Sequence, residues 1–238
     1  MGRRLFDIGA ATAALIVLSP LMLLVAVAIR ASSPGPVLFR ARRVGLHGRP
    51  FSMFKFRSMA VAGEVGSAIT GSHDPRVFPL GRLLRRSKID ELPQLFNVLI
   101  GEMALVGPRP EDPRLVAALY RPEHLPTLEV RPGLASPGSL YNFTHGEAHL
   151  TGPDTESAYA ERLLPVKLAL DLVYVRRASF RYDVAIMFRT LFVIVAATLG
   201  KRSFREPPEM LEARSLPIVK PPKPQPVSAA GDQLASAG

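Results

Sequence analysis

The chain has 238 residues, enough for one ordinary domain with appendages, and 47% of them are hydrophobic. Its net charge of +10 calls for an anionic partner: a polyanion, a phosphorylated ligand or an acidic membrane surface. The lack of cysteine excludes disulfides, thiolate nucleophiles and Cys-based zinc sites, while no tryptophan and only 5 tyrosines argue against a nucleic-acid binder built on stacking platforms.

Arg3 and Arg4 precede a run that is uncharged from Ile8 to Ile29. At ~1.5 Å per residue that run is long enough to cross ~30 Å of hydrocarbon, and it exceeds the ~7–15 residues of a signal-peptide core. A crossing helix keeps its cations on the cytoplasmic side, yet both ends here are basic, with Arg30, Arg40, Arg42 and Arg43 beyond the far end. Ser19-Pro20 stands near the middle. Proline cannot donate to the carbonyl of Ile16, so a helix break is expected there, with Ser19 able to satisfy the freed group. A re-entrant membrane helix over 1–30 accounts for both features; a proline-kinked span is the alternative.

No acid occurs from Ile8 through Gly63, while Arg30, Arg40, Arg42, Arg43, Arg49, Lys55 and Arg57 all fall within it. Such a segment suits anionic lipid headgroups or a phosphorylated substrate. Two short strands, 36–42 and 50–57, read as a β-hairpin around Gly45 and Gly48, with Lys55 or Arg57 reaching out. Residues 60–75 read as a loop and 80–86 as a helix.

"SKIDELPQLFNV", 87–98, sets Asp90 and Glu91 between five cations (Arg76, Arg82, Arg85, Arg86, Lys88) and an apolar run. With Asp90 as N-cap, Pro93 falls in the first turn of a helix over 90–100, where its missing N–H costs little. Leu92, Leu95, Phe96 and Leu99 then form the buried stripe. Further on, Gly107-Pro108-Arg109-Pro110 stiffens the backbone around one guanidinium. Residues 131–143 read as a Pro/Gly turn cluster, 155–177 as a helix kinked at Pro165, and 182–200 as an interfacial or core helix. Residues 203–238 read as a proline-rich disordered tail behind a body over 31–202.

Three roles compete for Asp90-Glu91. The plainest is a helix cap with a surface acid paired to Arg85 or Arg86. A glycosidase-like pair is poor, because adjacent residues do not flank a sugar. Phosphoryl chemistry, with one carboxylate attacking phosphorus and the other helping to hold a divalent ion, suits the basic surroundings.

The segments "GPVLFRARRVGLHGRPFSMFKFRSM", "LRRSKIDELPQLFNVLIGEMALVGPRP", "RPGL" and "KLALDLVYVRRASFRYDVAIMFRTL" together resemble the bacterial sugar transferase family, the monotopic phosphoglycosyl transferases, in order over roughly residues 3–200. The resemblance implies transfer of a phosphosugar from a UDP-sugar to a polyprenol phosphate, usually undecaprenyl phosphate, through a covalent aspartyl intermediate with release of UMP. It makes Asp90 the nucleophile and Glu91 its partner, with Mg²⁺ on Asp90 and Glu91. It assigns Lys55, Arg57, Arg85 and Arg109 to substrate, and Ser19-Pro20 to the helix break. It implies a mostly helical α+β monotopic membrane protein of the small catalytic-core form, with a short hairpin and amphipathic interfacial helices. The expected location is the bacterial inner membrane, with the catalytic domain on the cytoplasmic face, an anionic bilayer as support and downstream glycosyltransferases as further partners. Nucleic acid is not expected. "ASPGSLYNF", 135–143, departs from the "TGWAQ"-like sequence of many relatives, so sugar recognition is expected to differ. Asp171 and Asp183 align with family acids; Asp171 is a candidate network partner for an arginine, with ordinary salt-bridging the plainer reading. The five histidines have no metal-site spacing. A non-enzymatic basic scaffold on anionic membranes is the alternative function.

Overall fold

The computed structural model describes residues 2–60, 74–150 and 154–216. Most of the loop expected at 60–75 lies outside them. Helix α1 (Gly2–Ser32) runs unbroken past Pro20, and the Ser19 hydroxyl donates to the Ile16 carbonyl at 2.8 Å, the acceptor that proline leaves without its usual partner. Among the described residues it is the one helix long and apolar enough to cross a membrane.

The helix does not project away from the body. Ala11, Val25 and Ile29 are buried, and Ala14, Leu15, Met22 and Ala26 pack beside them, so a stripe along nearly its whole length is covered. Ile16, Val17, Leu23, Leu24 and Val27 on the remaining surface are exposed. Both ends are tied down. Arg4 donates to the carbonyls of Val98 and Leu99 in the last turn of the helix that ends at Ile100, at 2.6 and 2.9 Å, and Arg3 pairs with Asp183 at 3.2 Å.

At the other end Arg57 donates to the carbonyls of Ser33 and Pro34 at 2.6 and 2.7 Å. Arg57, expected to bind substrate, spends these donors on the backbone. Its side chain is buried at the exit of α1, because strand alternation ends at Phe56 and turns the next residue inward.

Strands β1 (Leu38–Val44) and β2 (Pro50–Phe56) form the antiparallel hairpin, with Ala41 opposite Met53 and both buried. Helix α2 (Pro79–Arg86) follows. The helix expected from Asp90 begins later. Ile89–Glu91 form a single 3-10 turn, and α3 covers Gln94–Ile100. Asp90 is thus not its N-cap.

The buried stripe differs too: Gln94, Leu95, Asn97 and Val98 face inward, while Phe96 and Ile100 are 47% and 64% exposed. Asn97 sets that rotation. Its Oδ1 accepts from the Phe54 N–H at 2.9 Å, and its Nδ2 donates to the Ser52 carbonyl at 2.8 Å and to Glu102 at 2.7 Å. The outer edge of β2 is satisfied by one amide.

Strand β3 (Ala104–Val106) leads to α4 (Pro113–Leu119) and pairs in parallel with β4 (Gly133–Ala135), a pairing the turn-cluster reading of 131–143 did not anticipate. Gly133 permits it: a Cβ there would lie 2.1 Å from the Gly107 nitrogen. Pro137 then opens α5 (Pro137–His149). Helix α6 (Thr155–Ala158) passes through a π-turn at Tyr159–Leu163 into α7 (Leu164–Arg177), so Pro165 stands in the first turn of a new helix rather than at a kink within one. Helix α8 (Phe180–Thr198) buries Ile186 and Val193 and exposes Phe188, Leu191, Phe192 and Val195.

The first part of the expected tail is ordered. Around α9 (Met210–Ala213) the chain returns to the α7 core through Met210 and Ala213, and Glu209 takes both guanidinium nitrogens of Arg189 at 2.7 and 2.9 Å. A charged residue inside an apolar helix needs such a partner, and the sequence supplies it 20 residues later. The rest of the tail, 217–238, lies outside the described residues.

Candidate active site

Lys88 ends α2 in a left-handed conformation (φ 58°, ψ 13°) and turns the chain so that Asp90 and Glu91 share the next 3-10 turn. The two acids meet different surroundings. Glu91 accepts from both arms of Arg109, at 3.0 Å on Oε2 and 2.6 Å on Oε1; Lys88 lies 3.2 Å and Lys55 3.7 Å from the same Oε1. Burial alone would push the Glu91 carboxyl up, but the charges of Arg109, Lys88 and Lys55 outweigh it and hold the group well below the usual range. Asp90 is 6% exposed, and its Oδ1 is buried with no hydrogen-bond partner. Burial, followed by the Glu91 charge, raises its pKa above the ordinary value against the pull of Lys55, Lys88 and Arg85. Lys55 on β2 is drawn down to about 8 by burial, with Glu91 opposing.

Arg109 is aimed by its scaffold. The β3–β4 pair brackets its loop: Gly107 N–H donates to the Ala135 carbonyl, and Gly133 N–H to the Pro108 carbonyl, both at 2.9 Å. Asp171 of α7 accepts from the backbone N–H of Arg109 at 3.4 Å with one oxygen and from that of Gly138 at 3.1 Å with the other. It therefore serves the arginine's main chain, and burial lifts its pKa to about 6. On the other side of the loop, Glu111 is in direct contact with Lys167 and accepts from Tyr159 at 2.7 Å. Asp183 is committed elsewhere, to Arg3 and to Tyr174 at 2.9 Å.

Four residues singled out from sequence, Asp90, Glu91, Lys55 and Arg109, thus converge. Arg85, in the last turn of α2, lies near enough for its charge to favour the ionised Asp90. Arg57 lies at the far end of α1, and Ser19-Pro20 are exposed in the middle of that helix. Lys88 was missed as a site residue, although it stood among the five cations before the acids; its signal was the lysine three residues ahead of Glu91. The buried pair Glu111 and Lys167 had no sequence signal. Among the described residues no group of three or more His, Asp or Glu side chains could hold a metal. Asp90 is the carboxylate with a free oxygen, because both Glu91 oxygens already face cations.

The bacterial sugar transferase family matches residues 1–197. The UDP-glucose:undecaprenyl-phosphate glucose-1-phosphate transferase of Escherichia coli (strain K12) is 38% identical over 198 residues, which cover 80% of this chain and 39% of that protein. The UDP-N-acetylgalactosamine-undecaprenyl-phosphate N-acetylgalactosaminephosphotransferase of Aeromonas hydrophila is 39% identical over 196 residues, 81% of this chain and 43% of its own. Exopolysaccharide production protein PSS of Rhizobium leguminosarum bv. phaseoli is 38% identical over 206 residues, 84% of this chain and 96% of its own. The chain spans about two fifths of the first two relatives and nearly all of the third. With a match that extends from the membrane-length helix through α8 and encloses the acidic pair with its cations, the chain belongs to the bacterial sugar transferase family.

Proposed function

We propose that the chain transfers a sugar phosphate from a UDP-sugar to a polyprenol phosphate such as undecaprenyl phosphate, with Asp90 as nucleophile. The observation that carries this reading is the asymmetry of the dyad: Glu91 is clamped by three cations, whereas the neighbouring Asp90 keeps a buried oxygen without a partner. In the first step an Asp90 oxygen bonds to the sugar-bearing phosphorus while the bond from that phosphorus to the bridging oxygen breaks, and UMP leaves with the electron pair. In the second step a phosphate oxygen of the polyprenol attacks the same phosphorus. The acyl-phosphate bond breaks, Asp90 recovers its carboxylate and the lipid carries a diphosphate-linked sugar. Lys55, Lys88, Arg85 and Arg109 exceed the two carboxylates by two positive charges, which lowers the repulsion between a carboxylate and a diphosphate.

Asp90 fits Mg²⁺ through its unpartnered oxygen, since this ion commonly takes one or two carboxylates beside water and substrate phosphates. Glu91 fits it poorly while its oxygens face Arg109, Lys88 and Lys55. When bound, the ion would offset negative charge on the diphosphate.

We place the protein at the bacterial inner membrane, with its body on the cytoplasmic face and downstream glycosyltransferases consuming its product. The support is the exposed apolar surface of α1, α3 and α8 together with the lipid phosphate in the names of the E. coli and A. hydrophila relatives. Mass spectrometry of protein treated with UDP-sugar and no acceptor should find a phosphosugar on Asp90, and none on Asp90→Asn. Lipid-linked product formed by Asp90→Asn at the wild-type rate would overturn the assignment. A screen of UDP-sugars for UMP release identifies the donor.

A further inference from the structure

Lys88 and His47 are the two non-glycine residues with positive φ among those described, and Lys88 stands two residues before Asp90. Glycine would fill that backbone position with less strain, so the lysine is of interest for its side chain. Its ammonium ends between two groups: Glu91 Oε1 at 3.2 Å and the ring of Phe143, whose centroid is 5.1 Å away. Phe143 is half-buried on α5, the helix whose start shares the Asp171 carboxylate with the Arg109 main chain. Helix α5 therefore approaches the site from Arg109 at one end to Lys88 further along.

Arg109 already meets both Glu91 oxygens, so Lys88 is not needed to neutralise that carboxylate. An aromatic face attracts an ammonium through its quadrupole but takes no conventional hydrogen bond from it. The ring therefore holds Lys88 beside the dyad while leaving ammonium donors for another acceptor. Resting on the function proposed above, we propose that Lys88 grips the donor's diphosphate and that Phe143 is the positioning residue that keeps it poised there.

A double-mutant cycle on the full chain in lipid nanodiscs tests this, with UDP as the probe in titration calorimetry and donor KM and kcat measured alongside. Lys88→Met should weaken UDP binding about tenfold or more, as for loss of a charge-assisted contact. Phe143→Leu, which keeps apolar bulk and removes the π face, should weaken it about threefold to tenfold and raise the donor KM by more than it lowers kcat. Phe143→Tyr should restore binding to within about twofold of wild type. In the Lys88→Met background Phe143→Leu should add nothing, because its effect runs through the missing ammonium. Additive losses, or a Lys88→Met protein that binds UDP like wild type, would overturn the proposal. Wild-type protein that binds UDP yet turns over no UDP-sugar would overturn the proposed function while the cycle still decides Lys88 and Phe143; wild type that does not bind UDP would overturn both.

Discussion

Arg109 meets Glu91 fork to fork across 18 residues of sequence, at 2.6 and 3.0 Å, with each guanidinium arm on its own carboxylate oxygen. The planar fork fixes the direction of the carboxylate as well as its charge, and this holds the next residue, Asp90, in its buried place.

Arg109→Lys should therefore be a severe change. A single ammonium cannot bridge both oxygens, so Glu91 becomes free to rotate and Asp90 loses its fixed neighbour. Turnover should fall by about 100-fold or more, as for loss of a preorganised electrostatic contact. Arg109→Ala should also destabilise the fold by about 3 kcal/mol, the lower end for stripping one partner from a buried pair, because Lys88 and Lys55 still face Glu91. Steady-state rates and chemical denaturation check the two parts. Wild-type turnover by Arg109→Lys would show the fork to be dispensable.

Lys55 should make binding and stability respond to alkali in opposite directions. Its pKa is about 8 in the fold against 10.5 for the ordinary side chain. As pH rises above about 8 the folded protein loses this charge first, so UDP binding should weaken by about tenfold per pH unit at the limit of one linked proton. Over the same window the unfolded chain holds more protons than the folded one, so this residue's contribution to stability should rise with pH until the ordinary value is passed. Lys55→Met should remove both trends. Calorimetric titrations from pH 7 to 10, paired with denaturation at each pH, test the signs; an unchanged alkaline profile in Lys55→Met would exclude Lys55 as their source.

Much of this was legible because short-range chemistry wrote it. The glycine-flanked hairpin, the Gly-Pro-Arg-Pro loop and the acid pair behind a basic stretch all depend on neighbours in sequence. The place of Arg57 was not legible because its environment is the end of α1, some two dozen residues earlier, and nothing local reveals that two carbonyls await it. The stripe of α3 was misread because an apolar count puts Phe96 inside, whereas Asn97 decides the rotation by docking on β2. Residues 203–216 looked disordered by composition, yet Glu209 and Met210 have destinations on α8 and in the α7 core that composition does not record.

Asn97 gives a test of that packing. It is fully buried and satisfies the Phe54 N–H and the Ser52 carbonyl together. Asn97→Ala leaves both groups buried without that partner, which should cost about 2–6 kcal/mol at about 1–3 kcal/mol for each orphaned group. Lys55 lies next to Phe54 on the same strand, so the donor KM should rise as well. A variant with wild-type denaturation and KM would mean that α3 is not held to β2 through this amide.

The path of α1 can be tested directly because the protein has no cysteine to interfere. Arg3 and Arg4 contact the same body that Arg57 holds at the far end of the helix, so both ends should face the same compartment. Gly2→Cys and Ser32→Cys, introduced singly, should both react with a membrane-impermeant maleimide in inverted vesicles and neither in intact spheroplasts. Replacing Pro20 with leucine restores the missing N–H and, with Ser19→Ala, removes the hydroxyl that serves Ile16. An apolar helix with a complete backbone hydrogen-bond ladder favours crossing the bilayer. The double variant should therefore make Gly2→Cys reactive from outside in a fraction of molecules. If Gly2→Cys in the otherwise unaltered chain already reacts only from outside, the helix spans the membrane, and the basic residues at its two ends face different compartments.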